Sequence, residues 1–335
     1  MAVTVYTSDD AGAIAGNLTL SGTAGDLVKI LDACLVDGYS GKAAAGWARP
    51  AFTPVTNKRV YRAASGNRYY LFVDDTGTIT DAKSAYIRGY ESMSAIGDLG
   101  TAPFPTVVQK ATGWVVSKSD SVSATLRNWI IIATPTFFYM FISYSTTAKG
   151  GVYYSTCFGD FASYKANDLN STIIGGSAMG LMTITSGSLP TTIVGGTLST
   201  MNLARKFDGI GTSPLVMPLP MNGLASLPIV AYTYATIGSV GLPSYPDMAS
   251  RRAIFTPCYI IECITGLPLR GWLPGLYIPV FQSSFNHGDL IVGEAGTNLS
   301  GKTLMLLNVM SAYSGQTGVA QWAMEISDTW LSVNY

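Results

Sequence analysis

His287, in Asn286-His287-Gly288-Asp289, is the one histidine of the 335-residue chain, so any Ser-His-Asp or Cys-His mechanism has to run through it. Its neighbours are turn formers, and a histidine in such a turn is expected at the surface with no proton-transfer role. Histidine-rich metal sites are excluded by count. The four cysteines, Cys34, Cys157, Cys258 and Cys263, show neither a C-x-x-C spacing nor a nearby histidine cluster. They are expected to be free thiols acting as small apolar groups. Cys258 and Cys263 stand an odd number of positions apart in a predicted strand, so they point to opposite faces and should not bridge.

A glycosidase needs two carboxyl groups flanking the scissile bond. The candidates are Asp74, Asp75, Asp81, Glu91, Asp98, Asp120, Asp160, Asp168, Glu262 and Glu294, and nothing in their spacing pairs them. Asp74-Asp75 precedes Thr76-Gly77, where short acids brace a hairpin turn through their own backbone contacts. Phosphate cradles fail as well. Gly175-Gly176-Ser177-Ala178-Met179-Gly180 lacks both a following Lys-Ser/Thr and the G-x-G-x-x-G spacing, and Gly41-Lys42-Ala43 lacks the earlier loop glycine. The Asn-x-Ser/Thr triplets at Asn17, Asn170 and Asn298 carry little weight without a secretion signal. Tyr69-Tyr70, Tyr153-Tyr154 and Tyr232-Thr233-Tyr234 offer stacking platforms for sugars or for a neighbouring subunit, although strand packing is the simpler role. No catalytic, cofactor-binding or metal-ligating residue is assigned, and the chain is expected not to be an enzyme.

The elements that must position these residues are mainly strands. Hydrophobic residues make up 48% of the chain and charged residues only 12%, against a usual value of about 25%. Glycine (36), tyrosine (19) and abundant Ser and Thr fill the gap, a composition of β-rich proteins with many tight turns. Lys plus Arg equals Asp plus Glu at 20 each, which removes any general attraction to nucleic acid or acidic membranes. So little charge also favours a life inside an assembly that covers part of the surface. The opening MAVTVYTSDD has no basic and apolar blocks of a signal peptide, so folding in a cytoplasm is expected. Trp129 to Ile142 is short for a membrane span and carries Thr134-Pro135-Thr136, so it reads as two buried strands around a turn.

One segment is helical by pattern. Leu27, Ile30, Leu31 and Cys34 fall on one face of a helix over about 26–36, with Asp26 able to cap its start and Gly38 to close its end. Alternation over Lys58 to Asp75, broken at Ser65-Gly66-Asn67, predicts a hairpin. Further strands are expected at 85–90, 112–116, 129–132, 137–141, 258–263, 288–292, 302–309 and 320–326. The fold class is mainly β: antiparallel β-sandwich or barrel-like sheets with one short N-terminal amphipathic helix. Three regions are distinguished: an N-terminal β-rich domain (1–170), a Gly/Thr-rich, low-charge segment (171–224) and a C-terminal β-rich domain (225–335). The middle segment reads either as more strands of the same core or as an arm or insertion covered by a neighbour, and its glycines favour the arm.

Several stretches carry a family likeness: Leu31-Asp32-Ala33-Cys34-Leu35-Val36-Asp37-Gly38-Tyr39, Lys42 to Trp47, Asn57 to Arg62, Tyr70 to Asp75, Arg88 to Ser94, Phe104-Pro105-Thr106, Trp114 to Ser119 and Phe158 to Phe161. Leu269 to Tyr277 and Ser327-Asp328-Thr329-Trp330 extend it late in the chain, and it thins between 171 and 224. In these stretches the chain resembles a family of tailed-bacteriophage virion structural proteins. The resemblance implies a non-enzymatic subunit of tail, baseplate or head, localised in the virion, assembled in the host bacterial cytoplasm and forming homo-oligomers. Its implied partners are other virion proteins and copies of itself, with no cofactor, no nucleic acid and no membrane span. A tail or baseplate place is favoured. Capsid decoration or a head spike is one alternative, and a tail component that binds or cleaves host-surface glycan is another.

Overall fold

The computed structural model describes residues 2–97, 99–143, 153–175, 201–211, 214–220, 255–262, 269–279, 285–313, 316–327 and 330. Strand β1 (Thr4–Thr7) and the short helix α1 (Ala11–Ala15) precede α2 (Asp26–Leu31), which runs on as a π-helical turn over Asp32–Asp37. Strands β2 (Lys58–Arg62), β3 (Tyr70–Asp74), β4 (Ser84–Tyr90) and β5 (Trp114–Ser117) form a four-stranded antiparallel sheet in that order. Then come β6 (Trp129–Ala133), β7 (Phe137–Ser143), β8 (Tyr153–Asp160), β9 (Ala162–Ser163), β10 (Thr172–Gly175), β11 (Met201–Leu203) and β12 (Leu215–Pro220). The series ends with β13 (Phe255–Glu262), β14 (Leu269–Pro279), β15 (Leu290–Val292), β16 (Thr303–Tyr313) and β17 (Gln316–Glu325). Together with β1 these make a 13-stranded sheet. The mainly β, antiparallel fold class read from composition is the observed one.

The large sheet closes on itself. From β8 it passes through β10, β11, β12, β13, β14, β17 and β16, and Val309 of β16 pairs back with Tyr153 of β8. Strands β7, β6 and β1 extend from the other edge of β8. Along β7, Phe138, Met140 and Ile142 pack into the core under the small sheet, while Phe137, Tyr139 and Phe141 pack with Cys157, Met201, Leu273 and Trp322 on the other side. A strand buried on both faces needs an unbroken apolar run, which is why Phe137–Ser143 lacks alternation.

Helix α2 lies in the first of these cores. Leu27, Ile30, Leu31 and Cys34 are buried there with Tyr61, Leu71 and Val73 of the small sheet and Trp129 and Met140 of the large one. The stripe is as expected, but the cap is not. The residue before the helix is Gly25 in a left-handed conformation, and the Asp26 carboxylate accepts the Ser21 hydroxyl at 2.6 Å instead of a helix amide. The Leu27 N–H goes to Asp75 at 2.8 Å. Gly38 does close the helical stretch at positive φ, its N–H donating to the Ala33 carbonyl. Chain 42–47 then folds back: Ala45 and Trp47 N–H donate to Cys34 and Leu35 carbonyls, and the Trp47 indole donates to Thr134.

Strand β5 pairs with β4 in the small sheet and has no pairing with β6, which lies between β1 and β7. The described parts of 171–224 include β10, β11 and β12, strands of the chain's own sheet, with Ile173, Ile174, Met201 and Leu203 fully buried. Residues 176–200, 212–213 and 221–224 of that segment lie outside the described residues. Strands from the regions 1–170 and 225–335 also share the sheet, through the β8–β16 and β9–β14 pairings. Strand β14 has no counterpart among the sequence-based strands, because Gly271, Pro274 and Gly275 read as breakers. Gly271 takes positive φ where β9 crosses: a Cβ there would sit 1.9 Å from the Ala162 carbonyl oxygen.

Candidate functional site

His287 does stand in a turn, but it is half-buried. Its ring stacks face to face on Tyr153 at 4.7 Å, and its Nδ1 accepts the Asn308 N–H at 3.0 Å. The turn is pinned to β16 by Gly288 N–H to the Leu306 carbonyl and Leu306 N–H to the Asp289 carbonyl. Burial lowers the histidine pKa, and a proton on Nδ1 would oppose the Asn308 amide. The expected surface position is therefore corrected: the imidazole is a neutral wedge over the β8–β16 seam, and the aromatic Tyr153 packs instead of presenting a platform.

The acids separate into distinct environments. Asp74 braces its turn as expected, accepting both the Thr76 N–H and hydroxyl, and its pKa is lowered because Lys58 and Thr76 outweigh the effect of burial. Asp75 does not share that role. It is wholly buried, ion-paired with a wholly buried Lys118, and turned toward α2. Asp81 pairs with Lys83, Glu91 with Arg205 and Asp120 with Arg127. Asp160 accepts the Thr172 hydroxyl and the Asn67 N–H, with burial pushing its pKa up. Glu294 is exposed, and Asp98, Cys263 and Tyr232-Thr233-Tyr234 lie outside the described residues. Cys34, Cys157 and Cys258 are free, buried thiols.

Among the candidate acids that are described, Asp168 and Glu262 alone are brought together on one partner. Arg270 of β14 donates to Asp168 at 2.6 Å and to Glu262, and also to the Arg205 carbonyl at 3.2 Å. Its guanidinium lies over Phe161 and Phe207 at 5.7 and 5.5 Å. All three charged side chains are buried. Burial raises the Glu262 pKa, against the pull of Arg270. Two carboxylates clamped on one guanidinium, with all three side chains buried, leave no open face for a water nucleophile, so the arrangement braces the start of β14. Around it stands an apolar rim: Tyr164, 43% exposed and tilted on Trp272 at 5.2 Å, with Phe207, Leu169, Ile210 and Leu269 also exposed.

A concavity of about 280 Å³ opens between Arg49, Phe52, Arg59, Val60 and Ile96. Arg49 pairs with Asp37 at 2.6 Å and Asp32 at 3.2 Å, and Arg59 with Asp32 at 3.0 Å. Two guanidiniums against two carboxylates leave no net charge to attract an anion. Behind the groove Phe52 stacks on Tyr70, which carries the Arg62 guanidinium at 4.8 Å.

Lys118, Arg270, Arg88 and Arg127 were not singled out by sequence reasoning, yet all four are buried. For Lys118 a signal was present: Trp114, Val116 and Lys118 alternate along β5, so the lysine continues a buried face. Arg88 lies in a strand buried on both sides and sends its guanidinium to the Lys110 and Ala111 carbonyls. No protein-family model matches the chain, and a search of curated proteins finds no match to its sequence.

Proposed function

We propose that the chain is a non-enzymatic structural subunit of a tailed-bacteriophage particle, placed in the tail or baseplate region and acting by packing against copies of itself and other virion proteins. The observation that carries this reading is where the charge sits. A chain with 12% charged residues buries Asp75, Lys118, Arg88, Arg127, Arg270, Glu262 and Glu325, while Val108, Ile210, Leu99, Leu169, Val292 and Leu290 stand exposed. Exposed apolar side chains of this kind suit permanent cover by neighbours. The resemblance of the N-terminal stretches to virion proteins points the same way.

The rim of Tyr164, Trp272 and Phe207 beside Asp168 favours one second reading, a tail component that binds host-surface glycan through aromatic stacking. Electron microscopy of the intact particle tests the first reading: the chain traced in the tail or baseplate supports it, and its absence from purified particles overturns it. A place on the head shell would move the chain to capsid decoration. Binding of a host polysaccharide by the purified protein, lost in Tyr164→Ala, would establish the glycan reading.

A further inference from the structure

We propose that Asp75 and Lys118 condense into an intramolecular amide, an isopeptide bond that ties the end of β3 to the end of β5 across β4. The two side chains are 0% exposed and in direct contact, Nζ against Oδ1. They come from positions 43 apart, and Val73 and Val116, two residues before each, are buried in the same apolar core. The other groups present suit acyl transfer. Oδ2 accepts the Leu27 N–H at 2.8 Å, with the Val28 N–H also directed at the carboxylate, so the backbone polarises the carboxyl and holds the oxygen that becomes the amide carbonyl. Nζ also donates to the Thr23 carbonyl at 2.6 Å, which orients the amine.

The step balances without a co-reactant. The ion pair first passes one proton from Nζ to Oδ1, giving neutral amine and carboxylic acid. An apolar site favours that neutral pair, and burial raises the Asp75 pKa to about 6 even with Lys118 beside it. The Nζ lone pair then attacks Cγ. The tetrahedral centre collapses as the C–Oδ1 bond breaks, Oδ1 takes a second amine proton, and it leaves as water. Nothing is oxidised or reduced. The neighbouring acids are engaged elsewhere, Asp26 with Ser21 and Asp74 with Lys58 and Thr76, so neither competes for the amine.

Denaturing mass spectrometry of the full-length purified protein tests the proposal. The wild-type chain is expected to weigh one water molecule less than its sequence, and digestion should release a branched peptide joining the segments that hold Asp75 and Lys118. Asp75→Ala and Lys118→Arg should each restore the full sequence mass, a reading that holds even if either variant folds poorly. A wild-type chain of full sequence mass overturns the proposal, and so does a lost water mapped to any other pair.

Discussion

The chain buries charge in two ways. Between the small sheet and α2, one acid meets one lysine, and the backbone supplies the remaining contacts: Leu27 N–H to the carboxylate and Thr23 carbonyl to the ammonium. At the end of the large sheet, one arginine serves two acids, and its Nε has no partner among the described residues. The chemistry of the cations separates the sites. A guanidinium keeps its proton and forks between two carboxylates, so the Arg270 contacts stay ionic. An amine can lose its proton when buried, so the Lys118 site can become covalent.

The largest effect expected is for Arg270→Met, which strands Asp168 and Glu262 together in the core. Removing one partner of a buried pair costs about 3–5 kcal/mol, and two orphaned acids should reach the top of that range or pass it. Denaturant unfolding measures it, and the loss should shrink as the pH falls and the stranded acids take up protons. Measured against a chain whose Asp75–Lys118 pair is still ionic, Lys118→Met should fall within the same rough 3–5 kcal/mol, toward its lower end, because Asp75 keeps its amide donors; against the condensed chain it removes the cross-link as well. A Lys118 cost above the Arg270 cost would reverse the comparison.

Leu31→Ala supplies an apolar yardstick in the core that holds Lys118. A buried leucine lost to alanine costs about 2–5 kcal/mol, so an unfolding change near zero would mean that α2 does not seal the site. A smaller effect attaches to His287. Its folded pKa lies below its ordinary 6.5, so the unfolded chain takes up the proton first. Stability should therefore be flat above about pH 6.5 and decline below it as pH falls toward the folded pKa, by about 1.4 kcal/mol for each unit of depression. His287→Gln should remove that slope. Arg49→Ala at the groove should cost less than about 1 kcal/mol, since its ion pairs are solvent-screened. A larger loss would make the groove a third structural ion site.

Much of the local structure was legible in the residues alone. The Leu27, Ile30, Leu31, Cys34 stripe marked α2, the break at Ser65-Gly66-Asn67 marked the β2–β3 hairpin, and Thr134-Pro135-Thr136 separated β6 from β7. Each signal is a periodicity or a turn preference carried within a few residues, and such signals depend on which face of an element is apolar. What covers that face was decided only in three dimensions. Pairing of β5 with β4 and closure of β16 on β8 join distant positions that periodicity does not connect. The same holds for the candidate sites. Asp74 and Asp75 are adjacent and chemically alike, yet the pleat turns one to a hairpin and Lys58 and the other to Lys118 and α2. Sequence determined that this chain has one imidazole, little charge and many strands. Tertiary structure decided that the imidazole is a wedge and that Asp75, Lys118, Glu262 and Arg270 lie inside, because burial and pairing depend on contacts between residues far apart in the chain.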